Sequence, residues 1–172
     1  QRNTKPQSRL NMLGSDLGAR CPPNLLTIKG LFLPMHISPS INGACLCGNI
    51  AFAVRGKLKN ARSCHCSQCR KAFSSQASAY ALVHPEEFTW TRGKHLLTAY
   101  ESKSGSGLLF CSQCGSTLVG TADGIIHGVT LGCIDGDTGV EIETHIFVDS
   151  KASWEILPEG IKAFSGAAPQ RE

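Results

Sequence analysis

Nine cysteines stand out in a chain of 172 residues, and seven of them fall into three tight groups. Cys45 and Cys47 form a C-x-C pair. Cys64, Cys66 and Cys69 form a C-x-C-x-x-C triple. Cys111 and Cys114 form a C-x-x-C pair followed by Gly115. A C-x-x-C turn aims two sulfurs at one ion, and glycine after it is free to take the left-handed backbone that closes the turn. C-x-C works too, because residues i and i+2 of an extended chain project to the same side. Cysteines this close together, odd in number and in a chain without a secretory segment, read as metal ligands before they read as a disulfide framework.

The ligand count divides the seven. A structural zinc takes four protein ligands in a closed tetrahedron. Joining Cys45 and Cys47 to Cys111 and Cys114 supplies them and leaves Cys64, Cys66 and Cys69, the three-ligand set of a catalytic zinc with one open position. Two zinc ions per chain then use all seven. A thiol arriving at the open position would be held as thiolate, and its natural electrophile is a small carbonyl. The same cysteines also suit two purely structural zincs, with His65 or an acidic side chain completing the second. The alternative to an enzyme is therefore a non-catalytic, zinc-stabilised protein- or nucleic-acid-binding module; a redox or metal-buffering protein is a further rival.

The elements that must position these groups are short. Eighteen Gly and eight Pro favour turns over long helices. Ile50, Phe52 and Val54 alternate with Ala51, Ala53 and Arg55, the period of a half-buried strand. Further strands are expected at Ala77 to Val83, Leu108 to Phe110, Thr117 to Val119, Ile125 to Leu131 and Thr144 to Val148. Phe88 to Trp90 and His95 to Tyr100 read as a hairpin about Arg92-Gly93. Only Arg70 to Gln76 reads as a short helical turn. Strands at this spacing without helical crossovers predict a single, mainly antiparallel β domain with little helix. Residues 41–165 form that zinc-binding β domain. Residues 1–40, basic and without a sustained period, form an extension that is loosely ordered or wraps the domain, and 166–172 form a C-terminal tail.

The charge is as uneven as the cysteines. The net charge is +4, and residues 1–40 account for it, with Arg2, Lys5, Arg9, Arg20 and Lys29 against Asp16. The rest is neutral in total, so nucleic acid is not an expected partner. No run approaches the ~20 apolar residues of a membrane helix, and the lack of an export signal leads us to expect a cytoplasmic protein.

The order of motifs is itself informative. Gly43-Ala-Cys45-Leu-Cys47-Gly48-Asn-Ile-Ala-Phe, then Cys64-His-Cys66-Ser-Gln-Cys69-Arg70-Lys71, then Phe110-Cys111-Ser-Gln-Cys114-Gly115-Ser-Thr-Leu resembles the glutathione-dependent formaldehyde-activating enzyme family, which also includes centromere protein V. Phe88-Thr-Trp90-Thr-Arg-Gly93, His145-Ile-Phe147 and Ser153-Trp154 fit the same pattern, so the resemblance covers residues 41–165. It implies a zinc-clamped fold called a β-tent, with a structural zinc on Cys45, Cys47, Cys111 and Cys114 and a catalytic zinc on Cys64, Cys66 and Cys69. It also implies a carbon–sulfur lyase that joins glutathione or another small thiol to formaldehyde or another small aldehyde, as S-(hydroxymethyl)glutathione synthase does.

The remaining residues carry weaker signals. His65 is expected to point outward from its strand rather than reach the open zinc. Arg70 and Lys71 suit either the carboxylates of glutathione or a solvated helix start. His127 and His145 sit in apolar strand patterns and read as hydrogen-bonded core histidines, with a place facing the site as the alternative for either. Cys133 reads as a small buried hydrophobe and Cys21 as a free thiol in the extension. Trp90 and Trp154 are expected to pack the core or its edge. Ser116 and Thr117 read as the start of a strand.

Overall fold

The computed structural model describes residues 40–169. The expectations for residues 1–39, including the free thiol at Cys21, lie outside the described residues. The alternation at residues 50–54 does what it predicts: Ile50, Phe52 and Val54 are each at most 1% exposed. They lie on or just before β2 (Ala51–Arg55), which pairs antiparallel with β1 (Ser40–Ala44) on one side and β5 (Phe88–Arg92) on the other. The Phe52 ring stacks on Phe88 at 5.2 Å and meets Trp90 edge-on at 6.1 Å. Trp90 thus packs at the core edge, as its sequence context suggests.

The other strands make one eight-stranded sheet. They are β3 (Lys59–Cys64), β4 (Ser78–Leu82), β6 (Leu97–Glu101), β7 (Ser106–Cys111), β8 (Thr117–Ala122), β9 (Ile125–Thr130), β10 (Thr144–Ile146) and β11 (Lys162–Phe164). Their order across the sheet is β11-β10-β3-β4-β9-β8-β7-β6. Both sheets are open, and Leu118, Val119 and Val129 join the β2 residues in one apolar core. The architecture is mainly β with one α-helix among the described residues, α1 (Ser67–Ala72). No helix among the described residues is long and apolar enough to cross a membrane.

Four details differ from the sequence expectation. First, β10 runs parallel to both β3 and β11, while the other pairings are antiparallel. Parallel neighbours need long connections rather than tight turns, and β10 lies far along the chain from β3. Second, β5 and β6 are not a hairpin. β5 pairs with β2, and β6 pairs with β7. Gly93 takes φ 68°, and the 3₁₀ turn Lys94–Leu96 that follows sends the chain from the small sheet to the large one. Third, α1 begins at Ser67 rather than Arg70, because Cys66 caps it: its Sγ accepts from the Cys69 N–H at 3.3 Å. Fourth, Trp154 is 71% exposed. The inward side chain of that segment is Glu155, and Trp154 and Ile156 on either side face solvent. Cys133 is half-buried against the core, its Sγ 3.4 Å from the Thr117 carbonyl.

Candidate metal centres

Two backbone knuckles build the first cluster. After β1 the chain turns at Cys45, with the Gly48 N–H donating to the Cys45 carbonyl at 2.8 Å and Gly48 at φ 73°. After β7 it turns at Cys111, with the Gly115 N–H donating to the Cys111 carbonyl at 2.9 Å and Gly115 at φ 76°. The two turns are tied together: the Leu46 N–H donates to Ser116 Oγ at 2.9 Å, and the Asn49 amide donates to Gln113 Oε1. Ser116 begins no catalytic arrangement; it buttresses this turn. The sulfurs of Cys45, Cys47, Cys111 and Cys114 all lie within 4.8 Å of one another. Cys45 and Cys47 Sγ are 3.4 Å apart, and Cys47 and Cys111 Sγ 3.8 Å. Zinc–sulfur bonds of ~2.3 Å in a tetrahedron put sulfurs about 3.8 Å apart, so the donor set fits the ion. The hydroxyl and N–H of Ser116 hold the Cys114 thiol down at about 5, biasing it to the thiolate a metal requires.

The second cluster forms where β3 meets α1. Cys64 ends the strand, Cys66 caps the helix and Cys69 lies one turn on, which brings their three sulfurs within 4.8 Å of one another. Within this group the Cys64 thiol holds Cys69 down at about 6, against the effect of burial and with help from Ser78 on β4. Cys64 is pushed well up in turn by its bond to Cys69 and by burial. Among the described residues no fourth His, Cys, Asp or Glu joins the three.

His65, between two of these cysteines, does not point outward. It is 0% exposed, and both ring nitrogens are occupied: Nδ1 lies 2.8 Å from Glu155 Oε2 and Nε2 lies 2.8 Å from His145 Nδ1. The reason is burial from the far side. β10 runs alongside β3, and the His65 N–H donates to the Ile146 carbonyl, so the side chain between Cys64 and Cys66 is drawn under the sheet. A histidine with both nitrogens engaged has none left for a metal. His145 is the buried, hydrogen-bonded histidine the sequence suggested, and burial lowers its pKa.

The three sulfurs open onto a cleft of about 260 Å³. α1 and the Phe73 that caps its C-terminus supply one wall, with Cys69 on the helix, and strands β4, β7, β8 and β9 supply the other through Tyr80, Leu108, Thr121 and His127. His127 is therefore not a core residue; it lines the cleft, its ring edge-on to Tyr80 at 6.3 Å. Burial pushes the Tyr80 phenol up to about 12, so it keeps its proton at neutral pH. Arg70 and Lys71 lie in the last turn of α1 and do not line the cleft. Tyr80 is a cleft residue that the sequence reading did not flag, and Phe147, present there only within the His145-Ile-Phe147 pattern, is another whose place was not foreseen. Gly120 and Gly128 inside strand patterns were the available signal, since glycine there marks close approach of another group.

Among known proteins, the crystal structure of a Rhodobacter sphaeroides protein is similar, with 22% sequence identity, a TM-score of 0.49, and coverage of 72% of this chain and 98% of that one. No curated protein matches the chain in sequence. The sequence model of one family matches residues 40–150, which span both cysteine clusters and most of the β domain. The chain therefore belongs to the glutathione-dependent formaldehyde-activating enzyme family.

Proposed function

We propose that this protein is a zinc enzyme of the carbon–sulfur lyase class, reversibly joining a thiol, glutathione in the first instance, to formaldehyde or another small aldehyde. The observation that carries the reading is the group Cys64, Cys66 and Cys69: three converging sulfurs at the edge of a cleft, with the adjacent His65 fully engaged elsewhere. In this reading Cys45, Cys47, Cys111 and Cys114 hold a structural zinc and the triple holds a catalytic one. Residues 41–165 carry the activity, with 1–40 and 166–172 appended.

A zinc ion held by Cys64, Cys66 and Cys69 would supply Lewis-acid chemistry that favours the thiolate form of a thiol near neutral pH. The protein does the rest. Cys66 orients its own sulfur by capping α1, and Cys64 is fixed by the β3 ladder. Tyr80, a protonated phenol, donates to the oxygen that gains charge as sulfur adds to carbon, and His127 packs edge-on against its ring. The proton given up by the thiol ends on the new hydroxyl, so the reaction is balanced and involves no redox change.

Carbon-13 exchange spectroscopy tests this. Protein purified with two zincs should accelerate interconversion of labelled formaldehyde and its glutathione adduct, and Cys66→Ala should not. A folded, two-zinc protein without acceleration would favour the non-catalytic binding module.

A further inference from the structure

Formaldehyde has two heavy atoms, so most of the cleft beside Cys64, Cys66 and Cys69 is left for the thiol partner or for a larger aldehyde. A dry cavity of about 150 Å³ is enough to take benzene, and this cleft measures about 260 Å³. Its walls suit an apolar guest. Phe73, Tyr80, Tyr100 and Phe147 contribute four rings, and Leu108 and Ile146 contribute aliphatic surface. Among the described residues, none that lines it is Lys or Arg.

The backbone is arranged to keep this space open. Gly120 on β8 sits opposite Gly128 on β9. A Cβ at Gly120 would stand 3.0 Å from the His127 ring, and one at Gly128 would stand 3.0 Å from the Tyr80 ring. The two glycines thus let both rings lie down against the sheet. Across the cleft, Phe147 takes φ 55° and ψ 41°, a left-handed conformation that an aromatic residue rarely adopts. Its N–H is held by the Gly166 carbonyl at 3.0 Å. Unusual backbone at a cleft wall is a recurring mark of a site shaped for a ligand.

We propose that this cleft binds an aryl group carried by the adduct, so that the site acts on aromatic thiohemiacetals in preference to the S-hydroxymethyl one. The inference rests on the thiol–aldehyde reading above and extends it to the substrate's side group. The bond-making step is the same. Sulfur bonds to the carbonyl carbon, the π pair of C=O moves to oxygen, and the thiol proton ends there. The aryl group is a substituent of either the aldehyde or the thiol, and the two are separated by assay.

The test uses the whole 172-residue chain, loaded with zinc. Exchange rates are measured for glutathione with formaldehyde, glutathione with benzaldehyde, and benzyl mercaptan with formaldehyde. Independently, calorimetry measures binding of benzyl alcohol, which cannot react. We expect one aryl pair to exceed glutathione with formaldehyde by about tenfold in kcat/KM, the worth of one good aromatic contact. We also expect saturable benzyl alcohol binding, weakened about tenfold in Tyr100→Ala and kept in Tyr100→Phe. Tyr100 is 60% exposed at the rim, so neither variant should threaten folding. Turnover of glutathione with formaldehyde but no benzyl alcohol binding overturns the inference and leaves the enzyme reading standing. Benzyl alcohol binding that depends on Tyr100, with no turnover of any pair, sinks the enzyme reading and supports the aryl cleft. Failure of both removes both.

Discussion

Glu155→Leu leaves the Nδ1 of His65 without an acceptor in a place where the ring has no contact with solvent. The proton positions in this chain follow from its ends. A carboxylate only accepts, so His65 Nδ1–H donates to Glu155 and His65 Nε2 accepts from His145 Nδ1–H. His145 Nε2 is left as a buried acceptor with no hydrogen-bond partner. Removing Glu155 therefore orphans a donor as well as deleting a charge-assisted bond. An orphaned buried donor costs about 1–3 kcal/mol, and a hydrogen bond to a charged group contributes about 1.5–3. We expect about 3 kcal/mol for Glu155→Leu, and about 1 kcal/mol for Glu155→Gln, which keeps a carbonyl of the same reach. For a domain of this size that is a melting-point loss of roughly 10 °C for leucine and 3 °C for glutamine. His65 also sits between two cysteines of the triple, so Glu155→Leu should weaken metal retention there by about tenfold, as loss of a supporting partner generally does. The Cys45, Cys47, Cys111 and Cys114 site should be unaffected. Thermal melts and metal analysis under chelator challenge read both effects. If Glu155→Leu melts within about 1 °C of the parent, or falls no further than Glu155→Gln, the buried chain does not carry the load assigned to it.

Four further outcomes are expected. If Cys45, Cys47, Cys111 and Cys114 hold the proposed structural zinc, Cys114→Ala opens that site between the β1–β2 and β7–β8 turns and should unfold or aggregate the protein. Cys66→Ala should leave a folded domain, losing the second metal and about 1 kcal/mol of helix cap, and comparing the two melts tests the division of roles. Gly43→Ala should destabilise by about 2 kcal/mol, because its Cβ would strike the Phe52 ring and the Cys133 backbone carbonyl; denaturant unfolding measures it. His145 titrates below its usual value because it is buried, so the unfolded chain binds its proton first as pH falls. Stability is then complete above about pH 6.5 and declines below it by up to about 1.4 kcal/mol per pH unit, a slope that His145→Asn should reduce in denaturant titrations.

Much of this was legible in the residues, for physical reasons. Ligand spacing is local chemistry, so C-x-C, C-x-x-C and the triple announced both sulfur clusters. The strict alternation at Ile50, Phe52 and Val54 announced β2 because one face of that strand is buried and the other is not. β3 was illegible because its buried positions are few and Asn60, at φ 52°, interrupts the pleat where the register shifts. The β5–β6 hairpin misled because Arg-Gly between apolar runs looks like a turn whether or not the strands pair. His65 was misplaced because the groups that bury it, Glu155 and His145, are distant in sequence and meet it only through the parallel pairing of β10 with β3. The cleft was invisible for the same reason: its walls come from eight elements, and only glycines inside strand patterns hinted at it.

The central claim is that Cys64, Cys66 and Cys69 hold a metal with one position left for a thiol. Replacing zinc by cobalt makes each sulfur bond visible as a charge-transfer band. Titration of the cobalt protein with glutathione should increase that band saturably, less so at lower pH because the thiol must lose its proton, and not at all in Cys66→Ala. A cobalt spectrum that no thiol changes, in protein holding two metals, would mean that the fourth position is filled from within the chain, and the account would be wrong.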